Sequence, residues 1–215
     1  MLFRSGYVKL LGEGHALAPD LVHDPRPLAE ALNDRRLGAL LIGPGLGRDG
    51  AARTALALVL EQQRPTVLDA DALMLLTPAL LAARTAPLIA TPHEGELKAL
   101  EAAFALSGTG SKIARASALA AASGMVVVAK GADTIVAAPD GQIALAARAS
   151  SWLSTAGTGD VLAGIVASRL SAGAEPFAAA CQGVWLHAEA ARCCPAPFTA
   201  SQLAARVPSA YAACL

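Results

Sequence analysis

The segment Met125-Val126-Val127-Val128-Ala129-Lys130-Gly131-Ala132-Asp133-Thr134-Ile135-Val136-Ala137-Ala138-Pro139-Asp140-Gly141-Gln142-Ile143-Ala144-Leu145 decides the fold. Its first five residues form an unbroken apolar run with three valines, the pattern of a strand buried on both faces. The run stops at Lys130-Gly131. Two shorter runs, Asp133-Thr134-Ile135-Val136-Ala137 and Gln142-Ile143-Ala144-Leu145, then flank Asp140-Gly141, a strong hairpin signal. A buried strand that feeds a hairpin predicts a sheet that is antiparallel at its later edge.

Upstream, short apolar runs alternate with helical patterns, as in a parallel sheet. Leu37-Gly38-Ala39-Leu40-Leu41-Ile42 reads as a buried strand stopped by Gly43-Pro44-Gly45-Leu46-Gly47, with a helix over residues 50–63 that Pro65 ends. Thr66-Val67-Leu68-Asp69 is the next strand, followed by a short helix around residues 72–76. Pro87-Leu88-Ile89-Ala90 is another, ending in Thr91-Pro92-His93-Glu94-Gly95-Glu96 before Leu97, Leu100 and Phe104 mark a helix. Residues 107–110 read as the most flexible connection, and a helix over 111–123 leads into the opening segment. Toward the N-terminus, Tyr7-Val8-Lys9-Leu10-Leu11 reads as a short strand, and residues 12–34, rich in Pro, His and acidic side chains, as a loop with a short helix.

Downstream lies Thr155-Ala156-Gly157-Thr158-Gly159-Asp160, followed by the amphipathic run Val161, Leu162, Ile165, Val166, Ala167, Leu170, which Gly173 closes. A second helix, with Pro176 near its start, runs through Trp185 and His187 to about Cys193. The tail to Leu215 reads as a further short helix. With no internal repeat and no long linker, residues 1–215 read as a single domain.

The formal net charge is zero, from 17 basic and 17 acidic residues, so nothing electrostatic favours nucleic acid or an anionic membrane as partner. Every apolar run is broken well short of the ~18 residues of a membrane span. The start, Met1-Leu2-Phe3-Arg4-Ser5-Gly6, has no signal-peptide core, which predicts a cytoplasmic protein. Cys181, Cys193, Cys194 and Cys214 lack a C-x-x-C pair or matched His spacing, so reduced and mostly buried thiols are expected.

In an open parallel sheet, ligands bind beyond the carboxyl ends of the strands, and the conspicuous residues cluster there. At Thr155–Asp160, two glycines and small side chains uncover backbone N–H groups at a helix start, an anion site suited to phosphate. Asp160 is then either a helix cap or a base held beside that phosphate. The Gly43–Gly47 turn is either a tight strand–helix turn or a phosphate- or sugar-contacting one, and G-x-G-x-x-G is not matched. Asp69 and Asp71 fit either a water-mediated Mg²⁺–phosphate site or local backbone bonding, with the cap preferred for Asp71. His93, Glu94 and Glu96 suit a helix N-terminus, and position adds a functional reading for His93 and Glu96. Lys130 either meets a phosphate or adenine edge or is an ordinary solvated charge. His15, His23 and His187 show no partner pattern, and no Ser-His-Asp or Cys-His arrangement is recognisable.

Taken in order, Gly43-Pro44-Gly45-Leu46-Gly47, Asp69-Ala70-Asp71, Thr91-Pro92-His93-Glu94-Gly95-Glu96, Lys130-Gly131-Ala132-Asp133-Thr134 and Thr155-Ala156-Gly157-Thr158-Gly159-Asp160 resemble the ADP/ATP-dependent NAD(P)H-hydrate dehydratases, a branch of the ribokinase-like superfamily. The resemblance implies a three-layer α/β/α fold with a mainly parallel sheet and an antiparallel edge hairpin. It implies phosphorylation of the 6-hydroxyl of (6S)-NADH or NADPH hydrate by ADP, with ATP as the eukaryotic counterpart, then elimination of phosphate to give NAD(P)H, AMP and phosphate. Mg²⁺ accompanies the nucleotide. By the same resemblance Asp160 is the base, Ala156, Gly157, Thr158 and Gly159 form the anion hole, and Lys130, Gly131, Ala132, Asp133, Thr134 and Gly159 meet the adenine nucleotide. Gly43, Gly45, Gly47, His93 and Asp160 meet the hydrate, and Glu96 contributes indirectly to the metal. A homo-oligomer, a tetramer in the family, is also implied. Members usually begin with a further strand and an alanine-rich helix ahead of the equivalent of Ser5-Gly6-Tyr7-Val8, and many carry a fused epimerase domain; residues 1–215 are expected to hold neither, as a truncated product, a fragment or a protein completed by another subunit would. The alternatives are a ribokinase-like small-molecule kinase of the vitamin type and a non-catalytic nucleotide-binding remnant.

Overall fold

A computed structural model of the chain describes residues 9–11 and 21–214. Strands β3 (Leu40–Ile42), β4 (Thr66–Leu68), β5 (Leu88–Ala90) and β6 (Val126–Ala129) run parallel in that order, and β7 (Ile135–Ala137) and β8 (Ile143–Leu145) complete the six-stranded sheet antiparallel. The edge hairpin closes as expected. The Gly141 N–H donates to the Ala138 carbonyl, and Gly141 takes the left-handed φ of 92° that a β-carbon would strain.

Strand residues alternate between two cores. Leu40, Ile42, Leu68, Leu88, Ala90, Val127 and Ala129 face one layer, formed by α2 (Gly50–Glu61), α3 (Asp71–Leu75), α5 (Glu94–Ala103) and α6 (Lys112–Ser123). Val67, Ile89, Val126, Val128 and Val136 face the other, formed by α7 (Thr158–Ser171) and α8 (Pro176–Arg192). This is a three-layer α/β/α arrangement, and burial of both faces explains why the inner strands read as unbroken apolar runs. A third core binds α9 (Ala200–Ala212) to α7 and α8 through Ile165, Leu186, Leu203 and Val207. Two short helices, α1 (Leu28–Ala31) and α4 (Pro78–Leu81), and a 3-10 turn over Ser151–Ser154 complete the described set.

Four sequence expectations are corrected. The loop expected over residues 12–34 contains a strand, β2 (Val22–Asp24), which pairs in parallel with β1 (Lys9–Leu11) in a separate two-stranded sheet. Its cause lies in charge: the Lys9 ammonium is buried between Asp24 and Asp34, 2.8 Å from each, a pairing between residues far apart in sequence. The strand over residues 37–42 is buried on alternate positions only. Leu40 and Ile42 are buried but Leu41 is 38% exposed, because β3 lies at the sheet edge. The thiols are free as expected, yet only Cys194 is buried. Asp71 does not cap α3: Ala70 holds that position with no side-chain bond, and Asp71 lies within the helix. Tyr7, Val8 and His15 lie outside the described residues, as do the other residues before Lys9.

No helix among the described residues is long and apolar enough to cross a membrane.

Candidate active site

The carboxyl ends of β3 to β6 meet at one end of the sheet, and the backbone there is stitched together. The Asp69 N–H donates to Ile42 O, Thr91 N–H to Leu68 O and Lys130 N–H to Pro92 O. After β3 the chain turns so tightly that a β-carbon on Gly43 would lie 1.7 Å from the Asp69 carbonyl oxygen, and φ there is +132°. Only glycine fits. Gly45 and Gly47, also at positive φ, face open space. The turn is held by Asp71, whose carboxylate accepts from Gly47 N–H at 3.0 Å and Arg48 Nε at 2.7 Å. The Arg48 guanidinium, then the Gly47 N–H, keep the Asp71 carboxyl below its usual pKa. Asp71 therefore locks a glycine turn across 24 residues instead of capping its own helix.

Asp69 is 1% exposed and accepts from Thr91 Oγ1 at 2.8 Å and Lys130 Nζ at 2.7 Å. Lys130 is therefore neither an ordinary solvated charge nor free; its ammonium also lies 3.8 Å from Glu96 Oε2. Glu96 belongs to a reciprocal cap of α5: its carboxylate accepts from His93 N–H at 2.8 Å, while His93 Nδ1 accepts from Gly95 and Glu96 N–H. This arrangement requires the Nε2–H tautomer of His93 and puts Nε2 3.3 Å from Glu96 Oε1.

Residues 131–134 form a compact turn, with Thr134 Oγ1 bonded to both Gly131 N and O. Its anchor is Lys112, the first residue of α6, whose ammonium donates to Lys130 O, Asp133 O and the Asp133 carboxylate. That ammonium is the main reason the Asp133 pKa is lowered. Nothing local in the sequence marks Lys112, because its partners lie about twenty residues away.

The fourth corner is the turn into α7. Gly157, at φ 84°, occupies the N-cap, and Thr158 Oγ1 bonds Leu153 O and Thr155 O. The Thr158 N–H is engaged by Thr155 O at 3.3 Å, whereas those of Ala156, Gly157 and Gly159 meet no backbone acceptor among the described residues. A β-carbon on Gly159 would lie 3.4 Å from Lys130 Nζ, so the two motifs face each other. Asp160 sits in the first turn of α7, not at the cap, and its exposed carboxylate has no hydrogen bond or ion pair among the described residues. Partial burial first, and then the Asp69 charge, raise its pKa against the opposing pull of Lys130.

Two features were not anticipated. His187, 8% exposed on α8, bonds Thr158 O through Nε2 at 2.8 Å, and burial pushes its pKa down to about 4. A cavity of about 440 Å³ opens between β8, residues 146–150 and α8, lined by Val136, Leu145, Ala146, Trp185 and Ala188 among others. Asp160 and Lys130 do not line it, but its rim is tied to the 131–134 turn by the bond from Ala146 N–H to Thr134 O.

The architecture is shared with a ribokinase-like superfamily protein of Enterococcus faecalis, at TM-score 0.73 and 24% identity over 89% of this chain and 69% of that one. The chain thus has the ribokinase-like α/β/α fold, with its polar cluster at the carboxyl end of the sheet. The family model for NAD(P)H-hydrate dehydratase, Carb_kinase, matches residues 8–211, and the chain belongs to that family. The ADP/ATP-dependent NAD(P)H-hydrate dehydratase of Bacillus subtilis, co-crystallised with ATP and Mg²⁺, is similar at TM-score 0.76 and 28% identity over 92% of this chain and 73% of that one. Among curated relatives, the ADP-dependent (S)-NAD(P)H-hydrate dehydratase of Neisseria meningitidis is 39% identical over 170 residues, 76% of this chain and 57% of that protein. The bifunctional NAD(P)H-hydrate repair enzyme Nnr of Mycobacterium tuberculosis is 39% identical over 175 residues, 79% of this chain but 36% of that protein. The chain therefore spans little more than half of one of these curated relatives and about a third of the other.

Proposed function

We propose that residues 1–215 form one domain acting as an ADP-dependent (6S)-NAD(P)H-hydrate dehydratase. Family membership supports the reading, and the observation that carries it is the Asp160 carboxylate: unpaired, raised in pKa, and directly after a glycine turn with free N–H groups. A base must be free to take a proton, and here the neighbouring acids Asp69, Glu96 and Asp71 are already engaged.

In the proposed reaction the 6-hydroxyl oxygen attacks the β-phosphorus of ADP, Asp160 takes the hydroxyl proton, and AMP leaves. The C6–O bond then breaks, phosphate departs with the electron pair, and loss of the C5 proton restores the dihydronicotinamide. The N–H groups of Ala156, Gly157 and Gly159 and the Lys130 ammonium would meet the transferred phosphoryl, so that catalysis is positioning and charge neutralisation. The 131–134 turn, held by Lys112, would bind the nucleotide, and the adjacent apolar cavity suits a purine ring. The Gly43–Gly47 turn and His93 would meet the hydrate.

Among the described residues no three His, Cys, Asp or Glu side chains gather into a metal cage. Mg²⁺ would be carried mainly by the nucleotide phosphates, and Glu96 is the side chain that would hold it through water. When bound, the ion would neutralise phosphate charge. A homo-oligomer is part of the same reading, supported by Ile143, which stays exposed on β8 outside that cavity.

The test is Asp160→Asn. The variant is expected to bind ADP but lose ADP-driven recovery of reduced-nicotinamide absorbance from the hydrate; wild-type turnover in it would remove Asp160 from the role of base.

A further inference from the structure

His187 is absorbed by nothing in the reaction above, yet it is held against the anion-binding turn by a specific packing arrangement. Helices α7 and α8 approach so closely that a β-carbon on Gly183 would lie 2.4 Å from Val166 Cγ2. One turn further along α8, and two turns back along α7, His187 Nε2 reaches Thr158 O at 2.8 Å. A carbonyl oxygen only accepts, so Nε2 carries the proton.

The Thr158 carbonyl and the Gly159 N–H belong to one planar peptide unit. Donation to its oxygen therefore fixes the direction of its N–H. It also polarises the unit, because hydrogen bonds in series strengthen one another. Gly159 N–H is one of the turn's donors with no backbone acceptor, and Gly159 faces the Lys130 ammonium. We propose that His187 is a positioning residue: as a neutral donor to Thr158 O, it aims and strengthens the Gly159 N–H toward the phosphoryl group held at the start of α7. Burial of the ring, which disfavours its charged form, keeps it a neutral donor.

This inference rests on the proposed anion hole but not on the identity of the hydrate. The test compares His187→Gln, whose amide nitrogen can occupy the place of Nε2, with His187→Asn, equally polar but too short to reach. Binding of inorganic phosphate is read from the Gly159 amide resonance in the 215-residue chain, and kcat and KM are measured separately with ADP and hydrate. The expected result is phosphate binding and kcat within about threefold of wild type in the Gln variant. In the Asn variant both fall about tenfold or more, with KM for hydrate little changed and similar melting temperatures for the two. Loss of the Gly159 response in the Asn variant, in a protein that turns over no hydrate, would support the positioning role while overturning the dehydratase reading. Equal phosphate binding by wild type and the Asn variant, or Gln performing no better than Asn, would overturn the inference, as would a wild-type Gly159 amide indifferent to phosphate.

Discussion

Asp160 lies in the field of the partly buried Lys130–Asp69 pair, and its pKa is the balance of opposing influences: burial and Asp69 raise it, Lys130 lowers it. A base works deprotonated, so the acid limb of kcat/KM is expected above the ordinary aspartate value of 3.8. Asp69→Asn removes one raising charge and leaves Lys130 uncompensated, so both changes shift the acid limb to lower pH. A pH–rate profile checks the direction, and an upward shift would contradict this electrostatic account. His187 gives a second pH signature. Its folded pKa, pushed to about 4, lies below the ordinary histidine value of 6.5, so unfolded chains bind a proton that folded chains exclude. Its contribution is complete above about pH 6.5 and fades as pH falls toward 4, amounting to roughly 3 kcal/mol at most. Chemical denaturation of wild type and His187→Gln across that window should show a shallower loss in the variant. These roles were only partly legible: Asp160 and Lys130 lie in recognisable motifs, whereas His187 and Lys112 act through partners that the fold brings to them.

At the level of elements, the start of α7 is set by the helix behind it. Gly183→Ala places a methyl into Val166 and pushes α8 outward, an overpacking cost of about 1–3 kcal/mol. Because His187 rides on the same helix, kcat should fall with stability. Removing the obstacle with Val166→Ala in the same chain should recover much of the activity, although its own cavity keeps part of the stability loss. A double-mutant cycle on melting temperature and kcat measures that coupling. The helices and parallel strands were legible because doubly buried strands read as short unbroken apolar runs and amphipathic helices as a 3.6-residue repeat, and Ser111 and Asp49 cap where polar residues precede the helical patterns. Strand β2 was not, since Val22-His23-Asp24 has no apolar run and is held by the Lys9–Asp24 pair. Asp71 misled for a related reason: an aspartate before a helix satisfies the local rule for a cap, while its partner here, Gly47, is remote in sequence.

For the whole molecule, the sheet gathers four strand ends and the α7 turn, and a nucleotide bridging the 131–134 turn and the anion hole would tie both helical layers to it. Saturating ADP should therefore raise the melting temperature, by the equivalent of about 2.7 kcal/mol at a hundredfold excess over Kd. Thermal unfolding with and without ADP checks this, and no shift at any concentration would argue against a nucleotide site. The antiparallel edge expected from residues 125–145 is present, and it positions residues 131–134 at the same end of the sheet as Asp69 and Gly159. The most direct measurement is a product analysis of the purified chain with NAD(P)H hydrate and ADP, alongside Asp160→Asn. The account predicts one AMP and one phosphate released per reduced nicotinamide recovered, with all three lost in the variant. Accumulation of a stable phosphorylated acceptor, or unchanged turnover in Asp160→Asn, would contradict it.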